Sequence, residues 1–362
     1  MKHKYNLLCF FFLFFPFLVH AEWVPANFDD VIAEWSLDRV PATVKRNFSA
    51  ADVAEIFDEI DQNLRVANQP GQAYRHSWAE STFQVLPESA QISPRGLFVR
   101  ARIDQYQHQF SAAIKTLKKL VLQKPQHISA HLLLARLYTL KGDSAAAKSI
   151  CVRMIGLTDV LTIAACSSEA EGNVNARLLS QLENMIIQQG WPDDERALWL
   201  AQILAEGAMQ TGRWDLASHW LNTVMEMRAP ATLTLSFLAQ WSDIEFVLND
   251  PQRVMDVLSP IVAGNTDKDD ALLLRLAIAE SSLGMSSYWT DIMRDRVALR
   301  ELRNDQLHAS EMARFYLEIE KDIGKAERWA NINWQKNKSY EDERLMSLVR
   351  NSLVQSSVEG SH

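Results

Sequence analysis

Seven histidines and two cysteines lie beyond residue 21, and their spacing limits the chemistry open to this chain. His127 and His131 stand four apart, a separation that places two imidazoles on one face of a helix. No acidic or cysteine ligand sits at the right spacing beside them, and neither HExxH nor CxxC occurs, so no metal site is expected. Cys151 and Cys166 are the two cysteines, and an oxidising compartment would let them pair. There is no phosphate loop, no dinucleotide glycine fingerprint and no GxSxG nucleophile elbow. The expectation is a chain without cofactor and without catalysis.

The compartment is read from the first 21 residues. Lys2 and Lys4 precede an almost wholly apolar stretch from Asn6 to Val19, and Val19-His20-Ala21 offers small residues for cleavage before Glu22. This is a secretory signal, and it implies a periplasmic or secreted bacterial protein. Cys9 lies inside the apolar stretch, away from the cleavage point, so a lipoprotein is not expected. No later run reaches about 18 apolar residues, so the rest of the chain holds no membrane span. Removal of the signal takes away two lysines and no acid, moving the formal charge from −8 to about −10. That balance argues against nucleic-acid binding. Apolar residues make up 48% of the 362, enough for a large core. Twelve glycines and eleven prolines are sparse for an all-β chain that needs frequent turns, and the composition leans helical.

The elements repeat. Ala113 in "FSAAIKTLKKLVLQKP" and Ala147 in "GDSAAAKSICVRMIGL" are 34 residues apart. The full unit reads best over 128–161, with Leu134-Ala135, Tyr138, the turn Gly142-Asp143 and Ala147. Small residues at 135 and 147 let two antiparallel helices approach closely, and Gly142 suits a helix C-cap. Ala101 and Ala113 hold the small positions in 94–127, Leu204-Ala205, Gly212 and Ala217 recur in 198–231, and Leu276-Ala277 with Gly284 in 270–303. The last of these has Trp289 where alanine is usual. Ala313 and Ala326 close the series in 307–340, and 162–197 and 232–269 match poorly and read as degenerate hairpins.

This pattern resembles the tetratricopeptide repeat family over roughly 94–340. The resemblance implies an all-α, right-handed superhelical solenoid of antiparallel helix hairpins. It divides the chain into a signal peptide (1–21), an N-terminal extension and capping hairpin (22–93), the repeat array (94–340), and a C-terminal capping helix and tail (341–362). On the repeat register Cys151 falls on one hairpin's second helix and Cys166 on the next hairpin's first. Two readings stand for the pair: a disulfide, and two buried free thiols acting as small core residues. In the family, the first helix of each hairpin lines the concave face. Carried over, the groove takes Arg95, Phe98, Arg102, Gln105 and Tyr106, then Arg136 with Ser129, Leu132, Thr139 and Leu140 in the next unit. Further along come Trp199, Gln202, Glu206 and Met209. Arg95, Arg102 and Arg136 together would take a carboxylate or other anion. A solvated basic spot is the plainer reading of the same arginines.

Two features invite enzymatic or glycan readings. "AESSLG" (279–284) resembles the Glu-Ser start of lytic transglycosylase sites, which would make Glu280 a general acid, but Glu280 falls at the tyrosine position of a repeat and the downstream segment of that motif is missing. Eleven tryptophans either fill gaps between hairpins or stack on sugar rings, and a row of exposed indoles would decide for the second. The function expected is a non-catalytic scaffold of the bacterial envelope that binds a peptide or protein partner in a concave groove, in complex assembly or export. The alternatives are a polysaccharide-binding repeat protein and a peptidoglycan-active enzyme.

Overall fold

Alternating helix pairs follow one another through the computed structural model, which describes residues 48–172 and 176–359. The signal segment 1–21, the extension over 22–47 with Trp23 and Trp35, and the end of the tail lie outside the described residues. No strand occurs among the described residues, and none of their helices is long and apolar enough to cross a membrane.

Ser49 starts the first helix. Its hydroxyl accepts from the Asp52 amide (3.2 Å) while the Asp52 carboxylate accepts from the Ser49 amide (2.8 Å), a reciprocal cap. Helix α1 (Ala50–Val66) ends before Pro70-Gly71, and α2 (Tyr74–Gln84) returns against it. A short α3 (Glu88–Gln91) leads into the array. The hairpins are α4 (Pro94–Tyr106) with α5 (Phe110–Gln123), α6 (Ile128–Leu140) with α7 (Ser144–Val152), and α8 (Val160–Ala170) with α9 (Ala176–Gln189). They continue as α10 (Arg196–Gln210) with α11 (Trp214–Met227), α12 (Leu235–Val247) with α13 (Pro251–Ala263), and α14 (Asp270–Ser282) with α15 (Tyr288–Leu302). The last pair is α16 (Ala309–Arg314), prolonged by a π-helical stretch Phe315–Glu320, with α17 (Ile323–Lys336). Helix α18 (Tyr340–Glu359) packs back on α17. The two weakly patterned segments, 162–197 and 232–269, thus hold hairpins like the rest.

The alanines explain the packing. Ala101, Ala113, Ala135, Ala147, Ala205, Ala217, Ala277, Ala313 and Ala326 are all buried, and each lets a neighbouring backbone come close. Trp289, at the alanine position of α15, is buried as well.

The turn from first to second helix has one recurring conformation. His108, Gly142, Gly172, Gly212, Asn249, Gly284 and Lys321 all have positive φ. After Gly142 (φ +76°) the Asp143 amide donates to the Tyr138 carbonyl (2.8 Å), and the same reach closes Gln109 to Asp104, Arg213 to Ala208 and Asp250 to Glu245. His108, Asn249 and Lys321 hold that conformation at a cost of about 1 kcal/mol each, offset by the capping bond. At Lys321 the bond reaches one residue further, from Asp322 to Tyr316 (2.9 Å), which accommodates the extra residue of the π-helical turn.

The array winds until early and late hairpins touch. The Gly71 amide donates to Asp269 (2.8 Å), the Leu235 amide to the Asn68 carbonyl (2.8 Å), and the Lys338 amide to the Leu140 carbonyl (2.9 Å). These contacts bring the start of α18 to the inner side of the middle hairpins, and that sets the environment of the groove.

Candidate functional site

Consecutive first helices present polar and charged side chains to a common inner wall. On α6, Ala135 packs inward between helices, and the next residue, Arg136, points away from that contact with 49% of its side chain accessible. Its guanidinium donates to Glu169 of α8, and the second oxygen of Glu169 accepts from the Trp199 indole of α10 (3.1 Å). One turn along α10, Gln202 donates to Ser236 of α12 at 3.5 Å, and its backbone carbonyl accepts from Gln240 (3.2 Å). Glu206 follows, accepting from Gln210 (3.2 Å). Further on, Asp243 of α12 is gripped by Arg275 of α14 (2.7 Å) and Arg314 of α16 (2.8 Å). Arg344 of α18 lies 5.2 Å over the ring of Trp214 at the start of α11, and Glu341 of the same helix is close enough for its charge to act on Glu206.

The electrostatics are uneven along the wall. Burial pushes Asp243 upward, but Arg275 and Arg314 outweigh it and hold the carboxyl down at about 2. Glu206 has no cation in contact. Enclosure by protein, then the carboxylates of Glu341 and Glu169, push it up to about 7, and Arg136 offsets this only in part. Glu341 is raised as well, by burial and then by Asp243. Arg136 and Glu341 nevertheless keep solvent-accessible side chains, which marks a wet interior rather than packed core. Glu169 and Glu206 of this wall and Glu341 of α18 therefore set three carboxylates against Arg136.

The three arginines read from the sequence as one anion site do not converge. Arg95 is spent on Asp61 (2.6 Å) and Asp58 (2.7 Å) of α1, Arg102 lies 3.7 Å from Asp61, and Arg136 turns to Glu169. Each positive charge already has an acid from a neighbouring first helix, so the site that an anion would need is occupied by the chain itself. Phe98 and Arg95 instead line a cavity of about 440 Å³ with Asp61, Pro94, Lys124, Gln126 and His127. Tyr106 stacks on His76 (centroids 3.4 Å apart), away from Arg136 and toward the contact with the late hairpins, where burial and then Asp269 raise its phenol. Met209 is buried. Trp199, Gln202 and Glu206 do share one face.

Glu280 does not have the setting of a general acid. It is buried, and its two oxygens accept the amides of Trp289 (3.1 Å) and Thr290 (2.8 Å), capping α15 from the preceding helix. Cys151 and Cys166 form a disulfide between α7 and α8, with Cα atoms 5.7 Å apart. His127 caps α6 through Nδ1, and His131 is buried with its Nδ1 3.0 Å from the His127 carbonyl oxygen. Among the described residues no group of three His, Cys, Asp or Glu is placed to hold a metal ion. Trp220, Trp241, Trp289 and Trp329 are buried, Trp191, Trp199, Trp214 and Trp334 half-buried, and Trp78 alone of the described tryptophans is exposed.

Sequence reasoning missed Glu169, Asp243 and Glu341. A signal existed: Glu169, Glu206 and Asp243 follow Arg136 at roughly the repeat period, one to each first helix.

Comparison with known proteins finds solved structures alone. A tetratricopeptide repeat protein from Parabacteroides merdae ATCC 43184 is 11% identical, with 82% of this chain and 99% of that one covered and a TM-score of 0.38. The tetratricopeptide repeat domain of P58(IPK) is 13% identical, with 84% and 99% covered and a TM-score of 0.27. No protein-family model matches the chain, and no curated protein does.

Proposed function

We propose that this chain is a non-catalytic scaffold of the bacterial envelope that holds a segment of a partner protein along the inner wall of its hairpin array. The observation that carries the reading is the face shared by Trp199, Gln202 and Glu206 opposite Arg136 and Glu341. It offers an indole, an amide and an unpaired carboxylate in a wet interior, with nothing arranged to make or break a covalent bond. The surplus of carboxylate there selects a cationic segment. A lysine or arginine of the partner would neutralise Glu206 and restore its ordinary acidity. Export rests on the signal at residues 1–21. The glycan alternative has no row of exposed indoles among the described tryptophans to support it.

Affinity capture from envelope extracts tests the reading. The wild-type chain is expected to retain one dominant protein, and Glu206→Lys to lose it. Equal retention by both would place the partner elsewhere on the molecule and overturn the inner-wall site.

A further inference from the structure

The second helices build the outer face, and one stretch of it differs in charge from the rest of the molecule. Between Asp104 and Asp143 the sequence holds no aspartate or glutamate, although the whole chain has a formal charge of −8. Lys115, Lys118 and Lys119 recur on α5 at the spacing of one helical face, and Leu122 continues it one turn later. All four are exposed, Leu122 at 78%. Neither these lysines nor Lys124 makes an ion pair among the described residues, whereas Lys148 pairs with Glu171 (2.8 Å).

An apolar tip stands at the same edge. Because α5 and α7 are both antiparallel to α6, they run parallel, and their C-terminal ends lie on one side of the array. Beyond the end of α7 the chain turns through 153–159 into α8, exposing Val152, Ile155 (66%), Leu157 and Val160 (62%). This turn is held in place. Met154 is fully buried beneath it, the Leu157 amide donates to the Met154 carbonyl (2.9 Å), and the Cys151–Cys166 disulfide closes its base. Exposed Arg153 adds a cation beside the aliphatic side chains, and the acid nearest to it in sequence, Asp159, is paired with Arg196 (2.8 Å).

We infer that the outer face of α5 and the α7–α8 turn dock on an anionic membrane surface. The chemistry favours a bilayer over an acidic protein. The cations are mostly lysines, hydrated point charges suited to a diffuse layer of headgroups rather than to bidentate pairing. The aliphatic side chains project from an outer turn, and a bilayer receives them without a matching pocket. Peripheral docking of this kind needs both components together and no spanning helix. It is independent of the inner-wall reading, since it uses the second helices rather than the first.

The test is co-sedimentation of the purified protein with phosphatidylcholine vesicles, with and without about one-third phosphatidylglycerol. Binding is expected to the anionic vesicles and to fall steeply with added salt. The triple variant Lys115→Glu, Lys118→Glu, Lys119→Glu is expected to reduce the bound fraction roughly tenfold. Ile155→Ser with Leu157→Ser is expected to weaken binding while leaving its salt dependence. All five side chains are exposed, and an unchanged melting curve checks that each variant is folded. Equal binding to neutral and anionic vesicles overturns the inference, as does a folded triple variant that binds like the wild type. Retention on immobilised polyglutamate through the same lysines, with no vesicle binding, replaces the membrane with an acidic protein partner.

Discussion

The amide of Gly71 donates to the carboxylate of Asp269 at 2.8 Å, across 198 residues of sequence. An open solenoid makes contacts between neighbouring repeats only, and its stability is close to a sum over them. Here the turn after α1 is fastened to the loop before α14, with Leu235 and Asn68 bonded alongside. Early and late hairpins are therefore expected to unfold together.

Gly71→Ala probes this fastening. Gly71 has φ +71°, and a Cβ there would come within 2.5 Å of Asn265. Strain and the clash are expected to cost about 1–3 kcal/mol. In hydrogen exchange, protection should fall in both α1 and α14. A loss confined to α1 and α2 would mean that the contact does not couple the two regions.

Asp243→Asn should be among the most damaging single changes. It leaves the buried Arg275 facing a neutral amide and Arg314 with Glu318 as its remaining acid, at a cost of about 3–5 kcal/mol. The sign with pH follows from the depressed carboxyl. In the wild type this contribution is complete above the unfolded value near 4 and is lost as pH falls toward about 2. Urea unfolding between pH 2 and pH 7 measures it, and in the variant that share of the acid dependence should vanish.

Glu206 works in the opposite sense. Its folded value of about 7 lies above that of the unfolded chain, so the native state binds the extra proton between pH 4.5 and 7. Stability from this group is full below pH 4.5 and declines as pH rises to 7. Glu206→Gln should raise stability at pH 8 by roughly 1–3 kcal/mol and remove that slope. Binding of a cationic partner should strengthen from pH 6 to pH 8 in the wild type and show no such gain in the variant. Isothermal titration at the two pH values reads the second effect.

Cys151→Ala with Cys166→Ala should lower stability by up to about 3 kcal/mol, for a bridge between residues 15 apart. Thermal melts with and without reductant give the comparison, and reduced wild type should match the double variant. An unshifted melt on verified reduction would show that packing of α7 on α8 suffices.

The hairpins were legible because their packing depends on small residues. Ala113, Ala147, Ala217 and Ala326 recur at fixed register, and every one is buried. Turns carrying His108, Asn249 and Lys321 were not, since these residues adopt the same left-handed conformation as Gly142 without its signature. On the inner wall, Trp199, Gln202 and Glu206 followed from the register. The arginines misled because their acids, Asp61 and Glu169, lie on other first helices, and Glu169 sits in one of the two weakly patterned hairpins. Contacts such as Lys338 with Leu140 have no local signal, because they arise from the winding of the whole array.

Photo-crosslinking in living cells reads what occupies the inner wall. A benzoylphenylalanine placed at Gln202, on the inner wall, is compared with one at Glu226, exposed on the outer helix α11. One protein adduct is expected from position 202, weakened by Glu206→Lys, and none from position 226. An adduct from 226 alone, or none from 202 while the partner is still captured, would contradict the inner-wall site.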